Sequence, residues 1–399
     1  MNPPPSAGPV HPADLTDALL AAAPLLSALP QPARVRCDDP GTGDLLRRTC
    51  VSLGLPPVTP VTDATDLGPF ERVLDGLLGL ADRPPQRDPA GPSSVDLARR
   101  RDFTAWAHRV DVSTSDGAAL PTWYAGDRSR PAVLIASACG MPARLAERWV
   151  RRLARDHFVV VPQTRGLFAP DPAGRVDVIT QADDLVTVLD HLRLDRAHLI
   201  GLCGGAVLAV VAAARRPDRV ESLSLWHGDF DLGGESPKTD HQRNLQALME
   251  MAARDETRAA AVHAVLAHTM LGVAPPGLAH LVVYPYVRPD LLHRYCRLNG
   301  AIMATDLRPY LTGLSHRTLV VTSRDDRTAH PDGSRAVAAR IPDAVLHVTE
   351  HGDHLSLFRA GDALMDLAVR FVAGDPPRPQ TPTPVGVGDD HEPPGGGVT

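Results

Sequence analysis

Residues 199–206 read Leu-Ile-Gly-Leu-Cys-Gly-Gly-Ala, between an apolar run that ends at Ile200 and an Ala/Val-rich helical run that starts near Ala206. This is Gly-x-nucleophile-x-Gly on a strand-to-helix turn, with Cys203 where serine is usual. So sharp a turn leaves no room for side chains two positions either side of the nucleophile, and it lifts the nucleophile above the sheet. The next backbone N–H, at Gly204, is placed to donate to an oxyanion. A helix start also favours a thiolate.

The order of motifs downstream gives the turn its meaning. Arg317–Ser323 is a β-branched strand leading into Arg324-Asp325-Asp326-Arg327. Ala344–Thr349 reads as a further strand, followed by His351-Gly352-Asp353-His354 and a last helix from about Ala360 to Val372. Nucleophile, carboxylate after a late strand and histidine after the final strand form the chain order of one kind of catalytic triad. In these three motifs, over roughly Asp102 to Ala373, the chain resembles the α/β-hydrolase superfamily. The resemblance implies an α/β fold, with a mostly parallel sheet covered by helices on both faces.

Ser323-Arg-Asp-Asp326 aligns with the superfamily's Gly-x-x-Asp, which puts the acid at Asp326, with Asp325 as the alternative. Gly352-Asp-His354 matches its Gly-x-His, which puts the base at His354, with His351 as the alternative. Asp326 would fix the His354 tautomer, and His354 would deprotonate Cys203. Ala132–Ala138 reads as the strand before the oxyanion loop. The second oxyanion donor is therefore expected at the Cys139 N–H, with Gly140 or Met141 as other choices. Trp226 and His227 lie just past a strand end and are possible pocket residues, although His227 equally suits a hydrogen-bonded structural histidine.

The chain has 399 residues, of which 43% are hydrophobic, enough for a substantial core. Its formal charge of −6 gives no case for nucleic acid. Five cysteines, at 37, 50, 139, 203 and 296, form no metal-ligand spacing, and their odd number suits a reducing, cytoplasmic setting. No phosphate loop or ligand cluster implies a metal or organic cofactor. The start of the chain lacks the pattern of a signal peptide. No run of about 18 apolar residues predicts a membrane span.

The expected division is residues 1–12 disordered, 13–100 a helical N-terminal extension, 101–228 and 315–373 the α/β core, 229–314 a helical cap, and 374–399 a disordered tail. Helix-like runs fall at Asp14–Leu29, Gly43–Leu55 and Phe70–Asp82 in the extension. In the cap they fall at Gln242–Arg254, Thr257–Leu271 and Pro289–Leu311. The core is expected to open with a hairpin, Phe103–Thr114 and Leu120–Ala125.

Cysteine in place of serine points to thioester chemistry, because an acyl group passed from one thiol to another stays a thioester and the exchange is nearly balanced. With its Ala-Ser-Ala-Cys-Gly-Met-Pro loop before the elbow, the chain is similar to the cysteine aminoacyltransferases and thioesterases of nonribosomal peptide and polyketide pathways. That resemblance implies acyl, possibly aminoacyl, transfer from a phosphopantetheinyl carrier protein through an acyl-Cys203 intermediate in natural-product biosynthesis. The alternatives are a thioesterase or ester hydrolase with water as acceptor, and a non-catalytic scaffold of the same fold. Arg144, Arg148, Arg151, Arg152 and Arg155 recur at helical spacing and would suit an acidic carrier.

Overall fold

The computed structural model describes residues 8–86, 94–169, 174–234 and 237–375. Most of the segments expected to be disordered, residues 1–7 and 376–399, lie outside the described residues. Residues 8–12 are ordered in the structure: Val10 bridges to Pro85, and Pro12 opens the first helix.

The N-terminal region runs α1 (Pro12–Ala28), β1 (Ala33–Arg36), α2 (Pro40–Leu53), β2 (Val58–Val61), α3 (Pro69–Leu78), α4 (Ser94–Arg101) and α5 (Phe103–Trp106). The three expected helices are present, and local chemistry sets their ends. Pro12, Pro40 and Pro69 occupy first-turn positions that need no N–H, and Asp39 caps α2 by accepting from the Thr42 N–H. Gly54 closes α2 in the left-handed region at φ 65°. The region is not wholly helical, because β1 and β2 pair in parallel as a separate two-stranded sheet.

The core follows as β3 (His108–Ser113), β4 (Ala119–Ala125), β5 (Ala132–Ala136), α6 (Glu147–Leu153), β6 (Phe158–Pro162), α7 (Val178–His191), β7 (Ala197–Leu202), α8 (Gly204–Arg215) and β8 (Val220–Trp226). The opening hairpin is thus shorter than expected at its start. Asp102 accepts from the Thr104 N–H and turns Phe103–Trp106 into a short helix instead of a strand. An inserted helical layer comes next: α9 (Asp240–Arg254), α10 (Glu256–Val273), α11 (Pro276–Val282), α12 (Pro289–Met303) and α13 (Arg308–Leu311). The expected single helix over 289–311 is therefore two, and α11 is additional. The chain closes with β9 (Thr318–Ser323), α14 (Pro331–Ala338), β10 (Val345–Thr349), α15 (Ser356–Arg359) and α16 (Asp362–Val372).

Eight strands form one sheet in the order β10-β9-β8-β7-β5-β6-β4-β3, parallel except at the β3–β4 and β4–β6 pairings. The central strands are buried along their whole length, as helices on both faces require. From β5 the chain first moves outward to β6, then returns to lay β7 on the other side of β5. The reversal leaves a crevice beyond the carboxyl ends of β5 and β7, where open α/β sheets place their ligands. Above it, α9, α10 and α12 pack on one another, and α1 and α3 of the N-terminal region pack against α11.

Candidate active site

Cys203 stands at the end of β7 with φ 56° and ψ −125°, a strained conformation for a residue with a side chain. Its neighbours explain how the turn is tolerated. A Cβ on Gly201 would come within 2.4 Å of the Ala206 Cα, and one on Gly205 within 1.9 Å of the Ala136 carbonyl oxygen. Only glycine fits at either position. All five cysteines are free, and Cys203 is the one that is not buried. Burial pushes the Cys296 thiol up to about 12 and raises Cys139 further still. These two are packed groups unsuited to nucleophilic work.

Gly204 is the first residue of α8, where a helix leaves its N–H unbonded. In the loop after β5, the Gly140 N–H donates to Thr164 Oγ1 at 2.9 Å and the Met141 N–H to the Ala138 carbonyl at 3.2 Å. Cys139 N–H has no acceptor among the described residues. Of the three possible second donors in this loop, it is the one left available.

Asp326 follows β9 and is buried. Its Oδ1 accepts from the N–H groups of Thr328 and Ala329, both at 2.9 Å. Its Oδ2 accepts from His354 Nδ1 at 2.9 Å and from His227 Nδ1 at 2.8 Å. Burial opposes the charge on Asp326, but the imidazole of His354 and the bonds from both histidines hold its carboxyl far below the usual range. For His354, burial opposes protonation, and Asp326 together with Cys203 beside it outweighs that and raises the imidazole well above its ordinary value. With Nδ1–H committed to Asp326, the remaining nitrogen, Nε2, is buried without a hydrogen-bond partner. Cys203 and His354 line one cavity of about 220 Å³.

The alternative residues sit elsewhere. His351 Nδ1 donates to Asp325 Oδ2 at 3.1 Å, but both side chains are at the surface and neither lines the cavity. Trp226 and His227 are corrected as pocket residues. Trp226 is fully buried, edge-on to Trp149 at 4.9 Å between ring centroids, on the core side of the sheet end. His227 is turned away from the cavity by its own left-handed backbone, φ 49°, and becomes a second donor to Asp326. The sequence reading missed this partnership because the two residues are 99 positions apart. The available signal was a histidine at the end of the strand beside the acid-bearing one.

His227, Asp326 and His354 are also the one group of potential metal ligands among the described residues, their donor atoms lying within 4.8 Å of one another. A cation there would compete with the hydrogen bonds that orient His354.

The inserted helices roof the cavity with apolar side chains, among them Leu245, Met270, Val282 and Ile302. Tyr286 and Tyr295 are buried in its wall, their hydroxyls 3.3 Å apart. Asp229, just past β8, also lines it and accepts a hydrogen bond from Gln242 of α9. Gln242 is itself fixed by the N–H groups of Thr239 and His330, so the roof is tied to the strand ends. Arg144 does not join the expected basic stripe. It turns inward to pair with Asp102, whereas Arg148, Arg151, Arg152 and Arg155 stand around a separate surface groove with Asp362 and Asp366. No helix among the described residues is long and apolar enough to cross a membrane.

Comparison with known proteins agrees with this geometry. The family model described as alpha/beta hydrolase fold matches residues 131–360, which run from β5 to just past the His354 loop. The chain is similar to a putative carbamate hydrolase RutD of Caulobacter segnis, at 26% identity over 61% of this chain and 92% of the relative. It is also similar to a 2-hydroxymuconate semialdehyde hydrolase of Pseudomonas putida, at 26% identity over 53% and 78%. Among solved structures, a hydrolase from Pseudomonas aeruginosa superposes with a TM-score of 0.54 at 25% identity, covering 67% of this chain and 98% of that one. The β7 elbow, the acid after β9 and the histidine after β10 all fall inside the matched span, and the chain belongs to the alpha/beta hydrolase family.

Proposed function

We propose that this protein hydrolyses a small acyl thioester or ester through an acyl-Cys203 intermediate. The observation that carries this reading is the arrangement at the strand ends: an accessible cysteine on a strained elbow, sharing a cavity with a histidine whose Nδ1 is fixed by a buried carboxylate. The hydrolase names of the relatives support the reaction class.

The chemistry follows from the geometry. His354 Nε2 takes the Cys203 proton, and the sulfur attacks the substrate carbonyl. The oxyanion accepts hydrogen bonds from the N–H groups of Gly204 and Cys139. As the carbonyl reforms, the bond to the leaving thiol or alcohol breaks, and His354 returns its proton to that group. Water then attacks the acyl-cysteine while His354 takes its proton. The C–S bond to Cys203 breaks and the free acid leaves. Asp326 keeps the imidazole in the tautomer that presents Nε2 and stabilises its charged form. The roof sets the size of acyl group admitted, and a cavity of about 220 Å³ suits a short one.

The nucleophile's identity favours a second reading, in which a thiol replaces water as acceptor. An acyl-cysteine conserves the thioester bond, so passing the group to another thiol, such as that of a carrier protein, is close to thermoneutral. A short-chain acyl thioester mixed with the protein tests both readings. The expected result is a mass increase equal to the acyl group on Cys203, absent in Cys203→Ala. Release of free acid assigns hydrolysis, and acyl transfer to an added thiol acceptor assigns transfer. No adduct and no turnover across ester and thioester substrates overturns the proposal.

A further inference from the structure

Thr164 does not line the chamber that holds Cys203, yet it grips the loop that supplies an oxyanion donor to it. β5 and β6 run parallel, with Leu134 opposite Val160. That register, carried past the strand ends, brings Thr164 against the loop after β5. There its Oγ1 accepts from the Gly140 N–H at 2.9 Å. The hydroxyl also stands close enough to the Cys139 sulfur to favour its ionised form, although burial outweighs this and keeps the thiol protonated. Among the described residues, no other side chain accepts from a backbone N–H of residues 138–141.

Thr164 is itself firmly placed. Before it, the Gln163 N–H donates to the Pro121 carbonyl of β4 at 2.9 Å. After it, the buried Arg165 makes a two-pronged bond to Asp184, at 2.7 and 2.6 Å. Arg165 also donates to Asp116 at 2.7 Å and to the Arg175 carbonyl at 3.1 Å. A buried guanidinium paired in this way has a fixed geometry. The oxyanion loop has weaker backing. A cavity of about 40 Å³ lies at its start, lined by Ser137, Thr164 and the buried Gln181 among others. Gly140 has φ 74°, and a Cβ there would come within 2.6 Å of the Tyr295 ring and 3.3 Å of Leu167. Packing therefore limits the loop on one side and leaves room on the other. The bond to Thr164 and the turn from the Met141 N–H to the Ala138 carbonyl fix its peptide planes.

We propose that Thr164 is a positioning residue for the oxyanion hole: by holding the Gly140 N–H, it keeps the Cys139 N–H facing the carbonyl oxygen of the group that Cys203 attacks. The inference rests on the acyl-Cys203 reading and adds a residue to its machinery. Without the Thr164 oxygen, the buried Gly140 N–H has no acceptor. An unpaired buried donor is costly, so its peptide turns to find another partner and carries Cys139 with it. Cys203, His354 and Asp326 belong to other elements and stay in place. The effect falls on steps in which a carbonyl oxygen gains charge, and not on the reactivity of the thiol.

The test separates those two properties. Thr164→Val replaces the hydroxyl with a methyl group at nearly constant volume, and Thr164→Ser keeps the oxygen. Two reactions of Cys203 are timed in each. With S-acetyl-N-acetylcysteamine the sulfur attacks a carbonyl and an oxyanion forms; with iodoacetamide the thiolate displaces iodide and none forms. In Thr164→Val, acylation is expected to slow by about 10- to 100-fold, less than outright loss of an oxyanion donor costs. The loss appears in kcat and not in KM, alkylation keeps its native rate, and Thr164→Ser restores acylation. Equal acylation in Thr164→Val and the native protein overturns the inference and leaves the acyl-Cys203 chemistry standing. Acylation and alkylation slowed alike make Thr164 a packing residue and also overturn it. Butanal gives a reading without turnover. Cys203 adds to its carbonyl carbon, the thiol proton passes to the oxygen, and that oxygen occupies the oxyanion hole. Its affinity, read as protection of Cys203 from iodoacetamide, is expected to fall about tenfold in Thr164→Val and to return in Thr164→Ser. Equal affinity overturns the role of Thr164 even if no ester is hydrolysed. A native protein that neither acylates nor binds butanal overturns both this inference and the reading beneath it.

Discussion

Two histidine–aspartate pairs stand side by side in this molecule. Asp325 and Asp326 are neighbours in sequence, as nearly are His351 and His354, and the pairs have similar lengths, 3.1 and 2.9 Å. The outer pair is 92% and 56% exposed; the inner is 8% and 0%. In water the outer pair is a screened contact of little consequence. In the interior the same two groups shift each other's protonation, and two backbone N–H groups and a second histidine pin the carboxylate. Distance alone does not set the two pairs apart; burial, added donors and a cavity shared with Cys203 do.

The strongest way to test that contrast removes members of the inner constellation. Cys203→Ala and His354→Ala are each expected to lower turnover by about 10⁴-fold or more, because such groups act as a unit. Asp326→Asn should cost roughly 10²- to 10⁴-fold, whereas Asp325→Asn leaves turnover unchanged. If Asp325→Asn proves the more damaging, the assignment is reversed.

The same substitution has a stability signature. The folded Asp326 carboxyl lies below its unfolded value, so its contribution is fully present above about pH 4 and is lost as pH falls through the folded value. Chemical denaturation across pH 2–6 should show a steep acid limb in the native protein, flattened in Asp326→Asn and kept in Asp325→Asn.

His227 is the finer probe, since it acts through Asp326. His227→Leu should lower kcat by about 10- to 100-fold, as loss of a supporting hydrogen bond does in comparable sites. It should also move the pH–rate profile, because Asp326 loses one of the donors that hold it down. His227→Gln, which keeps a donor, should restore the profile. A drop in activity with no change in pH dependence would make His227 a packing residue. The smallest effect is expected outside: His351→Ala should change stability by less than about 1 kcal/mol and leave turnover as it is.

The sequence made the centre of this molecule readable and left its edges obscure. Strands such as Phe158–Pro162 and Thr318–Ser323 are short runs of β-branched residues bounded by turn signals, and they occur where the pattern places them. The elbow was legible because glycine at 201 and 205 has a steric cause that a five-residue window displays. β1 and β2 were not, being four residues long, interrupted by Pro60, and stabilised by each other across a helix. The break between α12 and α13 is marked by Pro309 in the first turn of α13, a start signal that reading one helix over 289–311 passed over. At the site, Asp326 and His354 followed from chain order. That Asp326 serves two imidazoles, and that Cys139 rather than Gly140 or Met141 keeps a spare N–H, depended on partners such as Thr164 that only tertiary structure brings near.

Gly140, where a Cβ would come within 2.6 Å of the Tyr295 ring, carries an implication for how this chain can diversify. At the elbow and in the loop after β5, Gly201, Gly205 and Gly140 leave no room for a Cβ, so no side chain can be added at these positions without shifting the sheet end. Changes in what the chamber admits are therefore expected in the roof, where Met270, Val282 and Ile302 can be exchanged one at a time. Descendants of this chain with different appetites should differ in those helices and agree at these glycines.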